Sequence, residues 1–224
     1  MAALPGVSVT WQIVGMDYRR SYRSAAVAYA DLVERIPAEK WDGPGIGDWS
    51  LRELVGHTAS SALRQVPEVL STPAPAVEVA TPEGYFAFGR GVPANILEAA
   101  VIASSEDARK TAEQFGDDPV RVVGQLAGIA THALAAAGDD DIVTTPAGGM
   151  LVRDWLPTRT FELVVHGIDA ATASGVPHNL GLEAVAEATT LATRLAVALG
   201  EGDALLRALT GRGELPPKFT VLST

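Results

Sequence analysis

The chain has 224 residues, 27 acidic against 17 basic side chains for a net charge of −10, and no cysteine. That length suits one large domain, or one domain with a small appendage, and buries a continuous core without staples. The missing cysteines exclude disulfides, thiolate metal sites and a protein-borne thiol nucleophile, so any thiol chemistry must use an external thiol. No basic block interrupts the acidic balance, which argues against nucleic acid and against an anionic membrane surface as partners. The opening residues MAALPGVSVTWQIV carry no positively charged leader, and no run of about twenty apolar residues marks a membrane span. A cytoplasmic protein is the expectation.

In chain order, the first helix is expected over Val9 to Ile36. Tyr18, Tyr22, Ala25, Ala26 and Tyr29 recur at helical spacing, followed by Leu32 and Val33, and Pro37 stops the helix. The segment WDGPGIGD, 41–48, is a loop. A second helix opens at Ser50, where Ser50 and Glu53 form the S-x-x-E capping pattern and Trp49 and Leu54 sit as a hydrophobic staple. It continues through Leu70, with Pro67 expected to kink or fray its end. Residues 71–82 are rich in proline and small residues and are expected as a loop. Helices follow at Ala94 to Phe115 and Pro119 to Ala137. The acidic Gly138 to Asp141 breaks the pattern, and IVTT and MLV around PAGG form a short hairpin. A fifth helix covers Asp154 to Ser174, with Pro157 tolerated near its first turns. A sixth covers Leu182 to Leu199, and the tail holds one short helical turn before an extended end. Four long helices on short connections imply an all-α, antiparallel four-helix bundle with additional short helices and a short hairpin. Residues 1–200 are expected to form the bundle and 201–224 a tail packed on it.

Among four histidines, His166 is the informative one. Glu162 precedes it by four residues, which puts a carboxylate and an imidazole side by side on one helix face. Such a pair can share one ion, and a third ligand from another helix completes a site with an open position. His57, on the capped second helix, is the candidate. E-x-x-x-H is common by itself, and the plainer reading is a surface pair or a histidine satisfied by its neighbour. Arg159, Glu162, His166 and Asp169 project from one side of a helix whose other positions include Phe161, Leu163, Val164, Val165 and Ile168. A polar stripe on an otherwise apolar helix points to a polar interior cavity. Arg159 and Asp169 are then either outer-sphere or ligand-contacting groups, or simply an ion pair with each other. His132 reads as a core or bundle-end histidine, His178 as exposed, and Trp49 as a helix-entry packing residue. Arg212, in TGRG, is either a solvated tail residue or reaches back over the cavity to an anionic ligand.

The stretch GPGIGDWSLRELVGHTAS resembles the region of the first metal-binding histidine in the mycothiol-dependent maleylpyruvate isomerase family, part of the wider DinB-like superfamily. The matching residues are Trp49-Ser50 and the run Glu53-Leu54-Val55-Gly56-His57. A second match is the R-x-x-E-x-x-x-H-x-x-D pattern of Arg159, Glu162, His166 and Asp169, and LTGRGELP (209–216) resembles the end of many shorter members. The resemblance implies a DinB-like bundle that holds a divalent metal, zinc above all, on His57, Glu162 and His166. Arg159 and Asp169 are then the catalytic candidates and Arg212 the cofactor-binding one, with mycothiol as thiol cosubstrate. A thiol bound to the metal loses its proton and adds as thiolate to an electrophilic small molecule, which is then isomerised or released as a conjugate. Two neutral imidazoles and one carboxylate leave a divalent ion with net positive charge, which favours an anionic ligand. A metal-dependent hydrolase, or a binding protein without turnover, uses the same residues. Either a monomer or a homodimer suits a bundle of this size. The founding isomerase has a further C-terminal domain, for which the residues after the sixth helix here leave no room.

Overall fold

The computed structural model describes residues 17–222. Helix α1, Tyr18–Glu34, starts where the Asp17 side chain accepts the Arg20 amide, an N-cap of the usual kind. The part of the expected first helix before Asp17 lies outside the described residues. Helix α2, Leu51–Thr58, opens with both halves of the capping box: Ser50 Oγ accepts the Glu53 amide and Glu53 accepts the Ser50 amide. The expected disturbance at Pro67 falls earlier. Residues Ala59–Arg64 form a π-helical turn, and α3, Gln65–Leu70, carries the same helix to its end. Pro67 has no N–H. It cannot serve the Leu63 carbonyl in the α pattern or the Ala62 carbonyl in the π pattern, and the Tyr22 hydroxyl donates to Ala62 O instead at 2.7 Å.

The loop after α3 is more ordered than its composition suggests. Thr72 and Ala74 pair with the first hairpin strand (Thr144 N to Thr72 O, 2.8 Å; Ala74 N to Ile142 O, 2.9 Å), and Glu78 and Val79 donate to Gly149 O at the other side. A short helix not anticipated from the sequence, α4, Pro82–Ala87, then forms behind a Thr81 N-cap with proline at its first turn. Helix α5 is Ala94–Gln114 and α6 is Pro119–Ala133. The hairpin is present as β1, Ile142–Thr145, antiparallel to β2, Gly148–Leu151, with Val143 opposite Met150.

Helix α7, Val152–Ser174, begins two residues earlier than expected, which leaves Pro157 inside it. The first amides are satisfied from the preceding loop: Val152 donates to Asp141 O and Arg153 to Asp139 O. Its end is set by Gly175 at φ 76°, a left-handed C-cap that suits glycine. Helices α8, Leu182–Ala198, and α9, Gly202–Leu209, complete the chain. Helices α1, α2–α3, α6 and α7 pack around one core, with α5 against α2, α8 against α7 and α1, and α9 against α8. Tyr22, Leu32, Leu54, Leu63, Trp155 and Leu163 are fully buried at its centre. Among the described residues no helix is long and apolar enough to cross a membrane.

Candidate metal centre

Three side chains meet where α2 faces α7. His57 comes from the last turn of α2, and Glu162 and His166 from successive turns of α7. Glu162 Oε2 lies 3.7 Å from His57 Nε2 and 3.3 Å from His166 Nε2. One donor atom from each residue falls within 4.8 Å of the others, the arrangement of a site able to hold a metal ion. Tetrahedral zinc with ligands at about 2.0–2.1 Å separates its donors by about 3.4 Å. The two separations from Glu162 are close to that value, and the third is within 4.8 Å. The three side chains are 15–18% exposed, so the site lies in the protein but one edge reaches solvent.

The ring nitrogens that face away from Glu162 also have partners. His166 Nδ1 is 3.1 Å from Asp169 Oδ2, and His57 Nδ1 is 3.4 Å from Ser104 Oγ on α5. Partners on Nδ1 favour the tautomer whose Nε2 lone pair is free toward the shared point. The Trp49 ring lies against His57 at 4.9 Å, and the two imidazoles meet edge to face at 5.0 Å. Gly56 makes the approach of α5 possible: a Cβ there would stand 2.4 Å from the Ala108 carbonyl oxygen.

The cluster is electrostatically coupled. Burial opposes the charge on Glu162, but His166, His57 and Arg159 outweigh it and hold its carboxyl well below the usual range. Burial likewise opposes charging His166, yet hydrogen bonds to Asp169 and Glu162 push it up to about 9. Both shifts favour an ionised carboxylate beside a protonated imidazole when no metal is bound, and a divalent cation would replace that proton as the positive partner and leave Nε2 free as a ligand.

Both catalytic candidates lie next to this centre without sharing an ion pair in it. Asp169 is at His166. Arg159 is 2% exposed and donates to Thr158 Oγ1, Ser61 O and Gln65 Oε1 at 2.8–3.0 Å, with its guanidinium over the rings of Tyr85 and Trp155. Arg212 is exposed in the loop after α9, where Nη1 donates to Thr210 O. His178 is exposed as expected, and His132 is exposed in the last turn of α6, at the bundle end rather than in the core. Ser104 carries no mark in the sequence, because nothing near it in the chain points to His57. The flank of α7 beside the triad borders an apolar cleft of about 440 Å³, lined by Phe161, Val165 and Ile168 together with α8, α9 and the tail.

This mostly helical bundle with one short hairpin has the architecture of a DinB-like fold, and it joins two imidazoles and a carboxylate from two of its helices. Residues 22–171 match the family model of the mycothiol maleylpyruvate isomerase N-terminal domain. The chain belongs to that family, and the matched span contains His57, Glu162, His166 and Asp169. No curated protein and no solved structure matches the chain.

Proposed function

We propose that the protein is a metal-dependent enzyme that uses mycothiol to transfer to, or isomerise, an electrophilic small molecule, with His57, Glu162 and His166 as metal ligands. The observation that carries this reading is the convergence of His57 Nε2, Glu162 Oε2 and His166 Nε2 on one point at an edge of the bundle. Family membership supports the thiol, and the absence of cysteine from the chain requires that thiol to come from outside. Two nitrogens and one oxygen suit zinc, and an ion held there would offer a thiol an open position and lower its pKa.

The chain's own groups prepare that position. Asp169 fixes the ring plane and tautomer of His166, and Ser104 faces the corresponding nitrogen of His57. Glu162 is held ionised and so is available as a ligand without first losing a proton. Arg159 lies buried behind the carboxylate and adds positive charge there, and Asp169 brings a second carboxylate to the site on His166 Nδ1. Arg212 would meet an anionic thiol conjugate only if the loop after α9 folds back over the site.

Metal content decides the first half of this reading. Purified wild-type protein is expected to hold about one zinc per chain and His166→Ala none. No metal in wild type after zinc loading overturns it. Turnover of an electrophile that needs no added thiol would refute the mycothiol half.

A further inference from the structure

The π-helical turn Ala59–Arg64 begins two residues after His57. Relative to an α-helix, such a turn adds one residue, or about 100° of helical phase, between the helical segments on its two sides. The direction in which His57 points, measured against Leu63 and Val66 in the core, therefore depends on the turn being present. A π turn weakens its own ladder, so something outside the helix has to hold it.

Two buried donors do so. Tyr22 Oη from α1 donates to Ala62 O at 2.7 Å, and Arg159 Nη1 from α7 donates to Ser61 O at 2.8 Å and to Gln65 Oε1 at 2.9 Å. A third contact comes from α5, where Asp107 accepts from Ser60 Oγ and from Arg64. Arg159 differs from the others in its position. It lies one turn before Glu162 on the helix that carries Glu162 and His166, and it grips the helix that carries His57 about one turn past it. Its hydrogen bonds go to neutral acceptors, and the rings of Tyr85 and Trp155 sit at 4.9 and 5.6 Å from the guanidinium carbon. The planar fork is held on several sides and has no freedom to reach a substrate.

The geometry points to Arg159 as a positioning residue that pins the π turn and so sets the phase of His57 against Glu162 and His166. It acts through the helix, without touching the reacting atoms. This inference rests on the metal reading for its consequence, but its structural part can be read without metal.

The test uses Arg159→Gln in the full chain. In the metal-free wild type, ring protons of His57 and His166 should give a nuclear Overhauser effect, since the rings meet at 5.0 Å. In folded Arg159→Gln that signal is expected to vanish, and Co2+ is expected to bind at least about tenfold more weakly with an altered visible spectrum. Arg159→Lys, which keeps a charge and a donor, should recover part of both. Ser50→Ala, destabilised at a distance from the turn, should keep the wild-type signal. A folded Arg159→Gln with unchanged signal and cobalt affinity overturns the inference. If Arg159→Gln does not fold, Arg159→Lys decides: a weakened signal supports the pinning by Arg159, and an unchanged one refutes it. Should wild type bind no Co2+, the metal reading fails by itself, and the ring-proton signal alone decides this one.

Discussion

Asp169 accepts from the ring nitrogen of His166 that faces away from Glu162, and it lies one turn further along the same helix. Removing its charge while keeping its shape isolates that role. Asp169→Asn is expected to weaken zinc affinity about 10- to 100-fold, the usual effect of losing such a partner. Competition with a chromophoric chelator measures it, and affinity within twofold of wild type would show that His166 is oriented by something else. At this scale local rules make the pairing of Glu162 with His166 legible in the sequence, and the resemblance of two separate motifs to one family adds His57. Glu162 and His166 are four apart on one face, and His57 lies on a helix with a strong cap. Ser104 is not legible, since its contact with His57 depends on how closely α5 approaches α2. The path of Arg159 is not legible either: its acceptors, Ser61 and Gln65, lie more than ninety residues away in the chain.

Helix boundaries set by neighbouring residues appear in the sequence, and those set by distant ones do not. The Ser50–Glu53 box fixes the start of α2 at the expected residue, and Ser50→Ala should cost about 1 kcal/mol in urea unfolding. The Thr81–Pro82 pair carries a comparable signal for α4 that the proline-rich surroundings mask. Pro67 marks locally that this helix is disturbed, but not where the π turn falls, because the donors that hold it arrive from α1 and α7. The early start of α7 depends on carbonyls of Asp139 and Asp141, which hold its first amides. Gly56 shows how element packing overrides propensity. Alanine there would gain about 1 kcal/mol as a helix former. Its Cβ, however, would sit 2.4 Å from Ala108 O and 3.2 Å from the Ala112 Cβ, so α5 must retreat. Gly56→Ala is expected to lower the unfolding free energy by a net of up to about 2 kcal/mol, an overpacking cost of about 1–3 kcal/mol less the gain in helix propensity. It should also withdraw Ser104 from His57. A more stable variant would mean that α5 yields freely.

At the scale of the whole molecule, the layer formed by α8 contains a buried acid that the proposed chemistry does not use. Glu187 is 4% exposed, and neither of its carboxylate oxygens has a hydrogen-bond partner among the described residues. Burial, reinforced by Asp17, raises its pKa from 4.5 to about 7, against the opposing pull of the Ser21 and Thr160 hydroxyls. The folded state therefore holds this proton more tightly than the unfolded chain. Between about pH 4.5 and 7 the native state binds more protons, so stability falls as pH rises through that window, by at most about 3 kcal/mol from this group. Glu187→Gln keeps the shape and cannot ionise. The variant should match wild type near pH 4.5 and exceed it increasingly up to pH 8, because every other titrating group, His166 included, is common to both proteins and cancels in the difference. Urea unfolding of both across that range measures it. A difference that does not change with pH would show that Glu187 finds a donor or solvent as readily folded as unfolded. The expected slope would show instead that α8 docks on α1 and α7 with a neutral acid between them, and that the bundle closes more firmly in acid than at neutral pH.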